Sequence, residues 1–305
     1  MSAIALAPTD DFAGQHQTYL GGTDIAGIMG IHPYCTPHSV YQEKVGGLEV
    51  EVNEPMRWGT IMEPVIAEEY IKRYGGRVAK STTYVLQDRP FLGATPDYEF
   101  VAFGPNDAEL LEFRPQDVLL ECKTASFFVG RNFGEHGSDQ VPDQYVIQCT
   151  WQMFITGRKA CVLCVLIGGN DFRRYLIRYD AELASTLFTE AVRFWHQHVA
   201  IKVPPPLTGY EVDTSWVKQE FTVENGGKVY PDEECHYWCV TLESARKARV
   251  AAELAEDALE NQIKNFMGEA AILETEIAGE NVSFTWKADK NGRRSFRTPF
   301  KGRAA

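Results

Sequence analysis

No stretch of this 305-residue chain is apolar for long enough to cross a bilayer. The first eleven residues, Met1 to Asp11, lack the basic segment of a secretory signal. The expectation is a cytoplasmic protein with no membrane partner. Positive charge is also in deficit. Thirty Lys and Arg face 42 Asp and Glu, a formal net charge of -12. That balance argues against holding duplex DNA by bulk charge. It leaves room for a local basic track and for an acidic cation site that carries its own negative charge. Paired cysteine motifs are missing too. There are seven cysteines, an odd number, which points to reduced thiols. Cys161 and Cys164 have C-x-x-C spacing, but they lie in one apolar run whose strand alternation sends the two sulfurs to opposite faces. Cys235 and Cys239, near His236, have no second well-spaced pair. Core packing is therefore favoured over zinc or iron–sulfur binding.

What is present is an ordinary globular composition, 44% hydrophobic and 24% charged, so a buried core is expected. Four regions are expected. Residues 1–18 form a flexible arm, and 19–203 the main domain. Residues 204–240 read as an irregular linker opened by Pro204-Pro205-Pro206, and 241–305 as a long helix followed by a basic β-hairpin. In the main domain, Thr23 reads as the N-cap of a short helix that stops near Gly30. A helix N-terminus can also hold an anion, but the local sequence favours Thr23 as a cap alone. A strong amphipathic helix spans 57–74, with Pro64 inside it and Glu63 beside the apolar stripe. Strands are expected at 77–86, 91–94, 98–103, 118–123, 160–167 and 172–179, the last pair joined by Gly168-Gly169-Asn170-Asp171. Residues 126–140, with Arg131, read as a mobile loop at the site. The helix at 142–156 puts Tyr145, Gln148 and Gln152 on one side.

The chemistry concentrates in two places. Gly93-Ala94-Thr95-Pro96-Asp97 sets a carboxylate just past a turn. Leu119-Leu120-Glu121-Cys122-Lys123 ends an apolar strand with a carboxylate and an ammonium two residues apart, hence on the same face. An apolar strand rarely gives two same-face positions to charges without a use for them. Two acids and one lysine suit metal-assisted phosphodiester hydrolysis. Asp97 and Glu121, with the carbonyl of Cys122, are the candidate ligands for Mg²⁺, which takes only one or two protein carboxylates. Lys123 would orient water or steady charge at phosphorus. Glu63 would hold a second metal or its water, and Gln148 would fix Lys123 or a phosphate. At the C-terminus, Lys287, Arg293, Arg294 and Arg297 flank an Asn291-Gly292 turn and interleave with Trp286 and Phe296, with Lys301 and Arg303 following. Such a ribbon suits phosphates and bases, or else serves as a solubilising tail.

Taken together, these pieces resemble the YqaJ-type viral recombinase family, related to the phage lambda exonuclease and part of the PD-(D/E)XK nuclease superfamily. The resemblance rests on Leu20-Gly21-Gly22-Thr23-Asp24-Ile25, Trp58-Gly59-Thr60-Ile61-Met62-Glu63-Pro64, Gly93 to Asp97, Leu120 to Lys123, Tyr145-Val146-Ile147-Gln148 with Trp151-Gln152-Met153, and Gly168 to Phe172. It implies an α/β (α+β) PD-(D/E)XK nuclease core, a central mixed β-sheet flanked by helices, with a C-terminal helical and β-hairpin extension. It also implies Mg²⁺-dependent cleavage of double-stranded DNA, with Mn²⁺ expected to substitute. The implied polarity is 5′→3′, leaving a 3′ tail for a single-strand annealing protein, within a bacterial or phage-infected cell. Asp97, Glu121 and the Cys122 carbonyl would be metal ligands, Lys123, Glu63 and Gln148 catalytic, and Thr23 a contact to the 5′-phosphate. Relatives form ring trimers around DNA, so a homo-oligomer is expected. One departure stands out: members often place Gly after the motif aspartate, where this chain has Tyr98. Two other functions compete, a structure-selective or nicking endonuclease on the same core and a non-catalytic DNA- or partner-binding protein. The complete Asp97, Glu121 and Lys123 set argues against the latter, because clustered carboxylates are costly to desolvate without a cation.

Overall fold

A computed structural model describes residues 3–6, 17–46 and 53–300. Two compact units divide the chain, Met1–Val223 and Glu224–Ala305. In chain order the first unit comprises β1 (Ala3–Ala5), α1 (Gly22–Ile28), α2 (Pro37–Lys44), α3 (Glu54–Tyr74), β2 (Gly76–Lys80), β3 (Tyr84–Leu86), β4 (Arg89–Ala94), β5 (Tyr98–Phe103) and β6 (Val118–Ala125). It continues with α4 (Phe127–Gly130), α5 (Asp143–Thr156), β7 (Ala160–Ile167), β8 (Asp171–Arg178), α6 (Ala181–Phe194) and α7 (Glu211–Glu220).

The central sheet has the order β2-β5-β6-β7-β8. Strands β6 and β7 are parallel, with Glu121 opposite Leu163, and the other pairs are antiparallel. The parallel pair is possible because α4 and α5 lie in the crossover between the two strands. Alternation along β6 sorts its side chains by parity. Val118, Leu120 and Cys122 join Ile66, Ala67 and Tyr70 of α3, while Leu119 joins Cys149 and Met153 of α5. Cys161 and Cys164 fall into these two opposite clusters, as alternation requires. Val118, Leu119 and Leu120 are all sealed from solvent; burying each such side chain stabilises the fold by roughly 1.5–3 kcal/mol. A third cluster, around Leu20, Ile25, Leu92, Trp151 and Leu187, ties α1, α5 and α6 to β4.

Here Trp151 acts as a staple. Its indole N–H donates to the carbonyls of Gly93 (2.8 Å) and Leu20 (3.3 Å), satisfying two backbone groups in a dry core. Position 93 has to be glycine, because a Cβ there would stand 2.7 Å from the Tyr19 ring and 2.8 Å from the Tyr84 carbonyl oxygen.

The second unit holds α8 (Glu233–Met267) and a three-stranded antiparallel sheet of β9 (Ile272–Ile277), β10 (Glu280–Ala288) and β11 (Arg294–Arg297), with β10 in the centre. Asp232 caps α8 by accepting from the Cys235 N–H at 2.8 Å. Gly268, at φ +56°, ends it.

The structure departs from the sequence reading at several points. The described part of the expected flexible arm is not loose: β1 pairs with β3, Ala3 opposite Leu86. Residues 1–2 and 7–16 of that arm lie outside the described residues, as do 47–52 and the basic residues Lys301 and Arg303. The strand expected at 77–86 is two strands in different sheets. Within the expected linker, Pro205 is buried and its carbonyl meets the His38 ring at 3.3 Å. Asp213 of α7 accepts from Thr36 at 2.5 Å and from the Thr208 N–H and hydroxyl at 2.6 Å each. The Thr36–Asp213 bond and Trp216 against His38 dock α7 onto the start of α2. The helix expected from residue 241 begins at Glu233 and stops at Met267, and the hairpin that follows gains a third strand, β9, at Ile272–Ile277. The alternation Ile272-Leu273-Glu274-Thr275-Glu276-Ile277, rich in β-branched residues, carried the strand signal. Pro64 does not break α3. Helix α6 ends at Phe194 and widens into a π-turn over Trp195–Val199.

Candidate active site

The site forms where β4, β5 and β6 meet α5 and α3. Asp97 follows the Thr95-Pro96 corner and reaches across to β6, where its Oδ2 accepts the Cys122 N–H at 2.8 Å. Glu121, only 2% exposed, and Lys123 project from the face of β6 that α5 covers. Lys123 Nζ lies 2.7 Å from Glu121 Oε1. Two amides from α5 close on the same carboxylate. Gln148 Nε2 donates to Oε1 at 2.6 Å and Gln152 Nε2 to Oε2 at 2.9 Å. A carboxylate on a strand buried on both faces needs such partners. Residues 148 and 152 are one helical turn apart, which is why both reach one target.

Packing fixes these amides. Gly22 of α1 lies so close to α5 that a Cβ there would stand 2.8 Å from Gln148 Cγ and 3.1 Å from its Cα. The amides therefore sit where a glycine lets two helices meet. Gln152 Oε1 is buried and lacks a hydrogen-bond partner among the described residues, so this side chain is oriented wholly by its donation to Glu121.

The electrostatics follow from this crowding. Burial pushes the Asp97 carboxyl up to about 8; the charges of Glu121 and Glu63 act in the same direction, against Lys123 and the Cys122 N–H. Burial alone would lower the Lys123 ammonium, but Glu121 and Asp97 outweigh it and hold the group firmly protonated. The third acid in the neighbourhood, Glu63 of α3, forms an ion pair with Lys80 of β2. Tyr98 stands beside them: Lys80 Nζ lies 4.8 Å from its ring centre, and burial followed by the Glu63 charge raises its phenol. The tyrosine found in place of the expected glycine thus covers the Glu63–Lys80 pair, and Asp97 still reaches β6.

The structure brings Asp97, Glu121, Cys122, Lys123 and Gln148 together, with Glu63 close enough for Asp97 to feel its charge. Gln148 is held by Glu121, not by Lys123 or a phosphate position as expected. Gln152, Lys80 and His32 are additional neighbours. Gln152 was legible from its place one turn after Gln148. Lys80 gave no signal. His32 feels Lys123 across the site; burial and that ammonium lower its ring, against Asp24. Thr23 is exposed and lies inside α1; Gly21 is the N-cap, and its N–H donates to Asp24 Oδ2 at 2.8 Å. Arg131 is exposed just past α4, so the loop expected at 126–140 opens with a helical turn capped by Ser126.

In the second unit, alternation separates the basic residues. Lys287 and Arg297 are exposed, as is Arg293 in the turn. Arg294 is not available to DNA in the way the sequence suggested. Its guanidinium stacks 3.6 Å from the Trp286 ring centre and donates to the carbonyls of Trp286, Gly268 and Ala270.

Residues 11–159, which contain all of the clustered acids and the two glutamines, match the model of the YqaJ-like viral recombinase domain. The uncharacterized protein YqaJ of Bacillus subtilis is 25% identical over 276 residues, covering 89% of this chain and 77% of that one. Among solved structures, an alkaline exonuclease from Laribacter hongkongensis is 18% identical, with a TM-score of 0.45 over 70% of this chain and 98% of its own. A phage related exonuclease from Haemophilus somnus is 12% identical, with a TM-score of 0.39 over 62% of this chain and 98% of its own. Over residues 11–159 the chain is therefore similar to the YqaJ-like viral recombinase domain.

Proposed function

We propose that the chain is a Mg²⁺-dependent deoxyribonuclease acting on linear duplex DNA, degrading one strand 5′→3′ and leaving a 3′ tail. The observation that carries this reading is the convergence of Asp97 and Glu121 on one point of β6, with the Lys123 ammonium fastened to Glu121. The donors fit a hard divalent cation. They are two carboxylates, Asp97 and Glu121, and a strand-end carbonyl. Mg²⁺ prefers that sparse set and keeps its waters. Asp97, Glu121 and the Cys122 carbonyl would hold the ion, which would neutralise charge at the phosphate and make the attacking water more acidic.

The protein's own residues do the rest. Gln148 and Gln152 fix the plane of the Glu121 carboxylate, and the Cys122 N–H fixes that of Asp97. Lys123 stays charged at all working pH values and places an ammonium where negative charge develops on the phosphate oxygens. Ordered carboxylates of this kind remove reorganisation from the reaction itself. Glu63, paired with Lys80, stands ready as the outer acid. A 3′ tail calls for a single-strand annealing partner, and an enclosing homo-oligomer, a trimer in the resemblance, would suit an acidic chain that cannot hold DNA by bulk charge. Cytoplasmic action is the matching location; among the described residues no helix is long and apolar enough to cross a membrane.

The test is end-labelled linear duplex beside covalently closed circular duplex, each with Mg²⁺ and with EDTA. Loss of the linear substrate alone, only with Mg²⁺, is expected, with Lys123→Ala inactive but folded. Cutting of the closed circle would overturn the exonuclease reading, and loss of neither substrate would overturn the nuclease reading.

A further inference from the structure

The strand that carries Glu121 and Lys123 runs straight into an exposed aromatic turn. Strand β6 ends at Ala125, and α4 begins at Phe127, four residues past Lys123; at about 3.3 Å per residue that is roughly 13 Å of extended chain at most. Phe127 is 63% exposed and Phe128 75%. Adjacent phenylalanines open to water so close to a polar site carry an unfavourable solvation term that a structural role does not explain. Their rings meet edge to face, centroids 6.2 Å apart, and the Arg131 guanidinium lies 5.2 Å from the centre of one and 5.7 Å from the other.

The turn is held rigidly. Ser126 caps it through the Val129 N–H, the Ala125 carbonyl accepts the Gly168 N–H at 2.8 Å, and a Cβ at Gly130 would stand 2.1 Å from Ile167 Cγ2. A chain of rings links it back to the site. Tyr145 lies within the field of Lys123, Phe133 stacks on Tyr145 at 5.4 Å, and Phe133, Phe127 and Arg131 line one shallow cleft.

Resting on the nuclease reading above, we infer that Phe127 and Phe128, braced by Arg131, form a stacking platform for unpaired nucleotides of single-stranded DNA beside the scissile phosphate. The chemistry commits to this occupant. Two π-faces and one guanidinium that is in no ion pair among the described residues suit a base with its phosphate. The platform is continuous with the lysine that would face the reacting phosphate. Pinning by Ile167 and Ser126 means that little ordering is needed on binding.

The experiment uses the full chain in EDTA and hairpin duplexes that are blunt or carry a four-nucleotide 5′ or 3′ tail with 2-aminopurine at the junction. Stacking on the platform quenches the fluorophore. Phe127→Ala/Phe128→Ala is expected to lose the quench and to bind one tailed duplex roughly ten- to a hundredfold more weakly, the range for losing base–aromatic stacking. Binding of the blunt duplex should fall less. Phe127→Tyr/Phe128→Tyr should restore both signals, whereas Phe127→Leu/Phe128→Leu, apolar but without a π-face, should not. Both phenylalanines are exposed, so the variants should melt like the wild type. Full binding and quench by the leucine pair would overturn the platform, as would an equal loss on blunt duplex. A wild type that cuts linear DNA while the alanine pair binds every tail normally would overturn the platform alone. A wild type that neither binds nor cuts would overturn the nuclease reading with it.

Discussion

The Asp97 carboxyl offers the sharpest test of the cation reading, because a proton and a cation compete for it. Without a cation its carboxyl is pushed up to about 8, first by burial and then by Glu121 and Glu63. At pH 7 about nine in ten cation-free molecules then hold a proton there, about half at pH 8 and about one in ten at pH 9. Mg²⁺ binding requires the ionised form, so each ion bound should release about 0.9 proton at pH 7 and about 0.1 at pH 9. Below pH 8 the apparent affinity should rise about tenfold per pH unit. The stability sign runs the other way. A buried acid raised above its unfolded value gives the cation-free folded state more bound protons than the unfolded chain between about pH 4 and 8, so stability falls as pH rises through that window. Isothermal calorimetry at pH 7 in two buffers of different ionisation enthalpy measures the released proton directly. Asp97→Asn should abolish the release and flatten the fall in melting temperature in EDTA. Proton release near zero at pH 7 in the wild type, or release unchanged in Asp97→Asn, would refute the assignment of Asp97 as the shared site.

Three further outcomes follow from the same geometry. Gln152→Leu loses one hydrogen bond to a buried carboxylate but also removes the unpartnered Gln152 Oε1, so stability should shift by only about 1 kcal/mol while Mg²⁺-dependent turnover falls roughly 10- to 100-fold; thermal melts and single-turnover assays separate the two. Gly22→Ala should lower stability by about 1–3 kcal/mol through overpacking and reduce turnover as well, because the new methyl meets Gln148; a variant with wild-type melting and activity would show that the α1–α5 approach is not needed. Replacing the exposed Lys287, Arg293 and Arg297 by alanine should flatten the salt dependence of DNA binding, by about 0.9 in the log–log slope for every phosphate these side chains neutralise. Arg294→Ala should instead lower the melting temperature, since its partners are carbonyls of its own unit.

How much of this was legible depends on how local each signal is. Glu121 and Lys123 could be paired from the sequence because alternation in a strand is local, and β6 obeys it. The boundaries 98–103 and 160–167 could be drawn for the same reason, since both runs end at clear turn residues. Arg293 and Arg294 show the limit of composition. Read as a basic cluster they look equivalent, yet adjacent residues at the start of β11 diverge, one to solvent and one onto Trp286. The α7 segment was hidden because its docking rests on Asp213 with Thr36 and Thr208. A polar pair across 177 residues leaves no hydrophobic period to detect.

Glu121 itself shows why the remainder of the site needed the fold. A carboxylate on a strand covered on both faces is unfavourable unless its oxygens are occupied. Three donors occupy them here: Lys123, Gln148 and Gln152. Only the first lies on the same strand and could be paired by counting. The two glutamines reach Glu121 because Gly22 lets α1 press on α5 and because Trp151 staples α5 to Gly93 and Leu20. The glycine beside the Asp97 corner and the glutamines beside Glu121 are therefore parts of one packing solution. A Cβ at either glycine would meet its neighbours at 2.7–2.8 Å, so a substitution there should lower thermal stability and turnover together, read by melts and single-turnover assays.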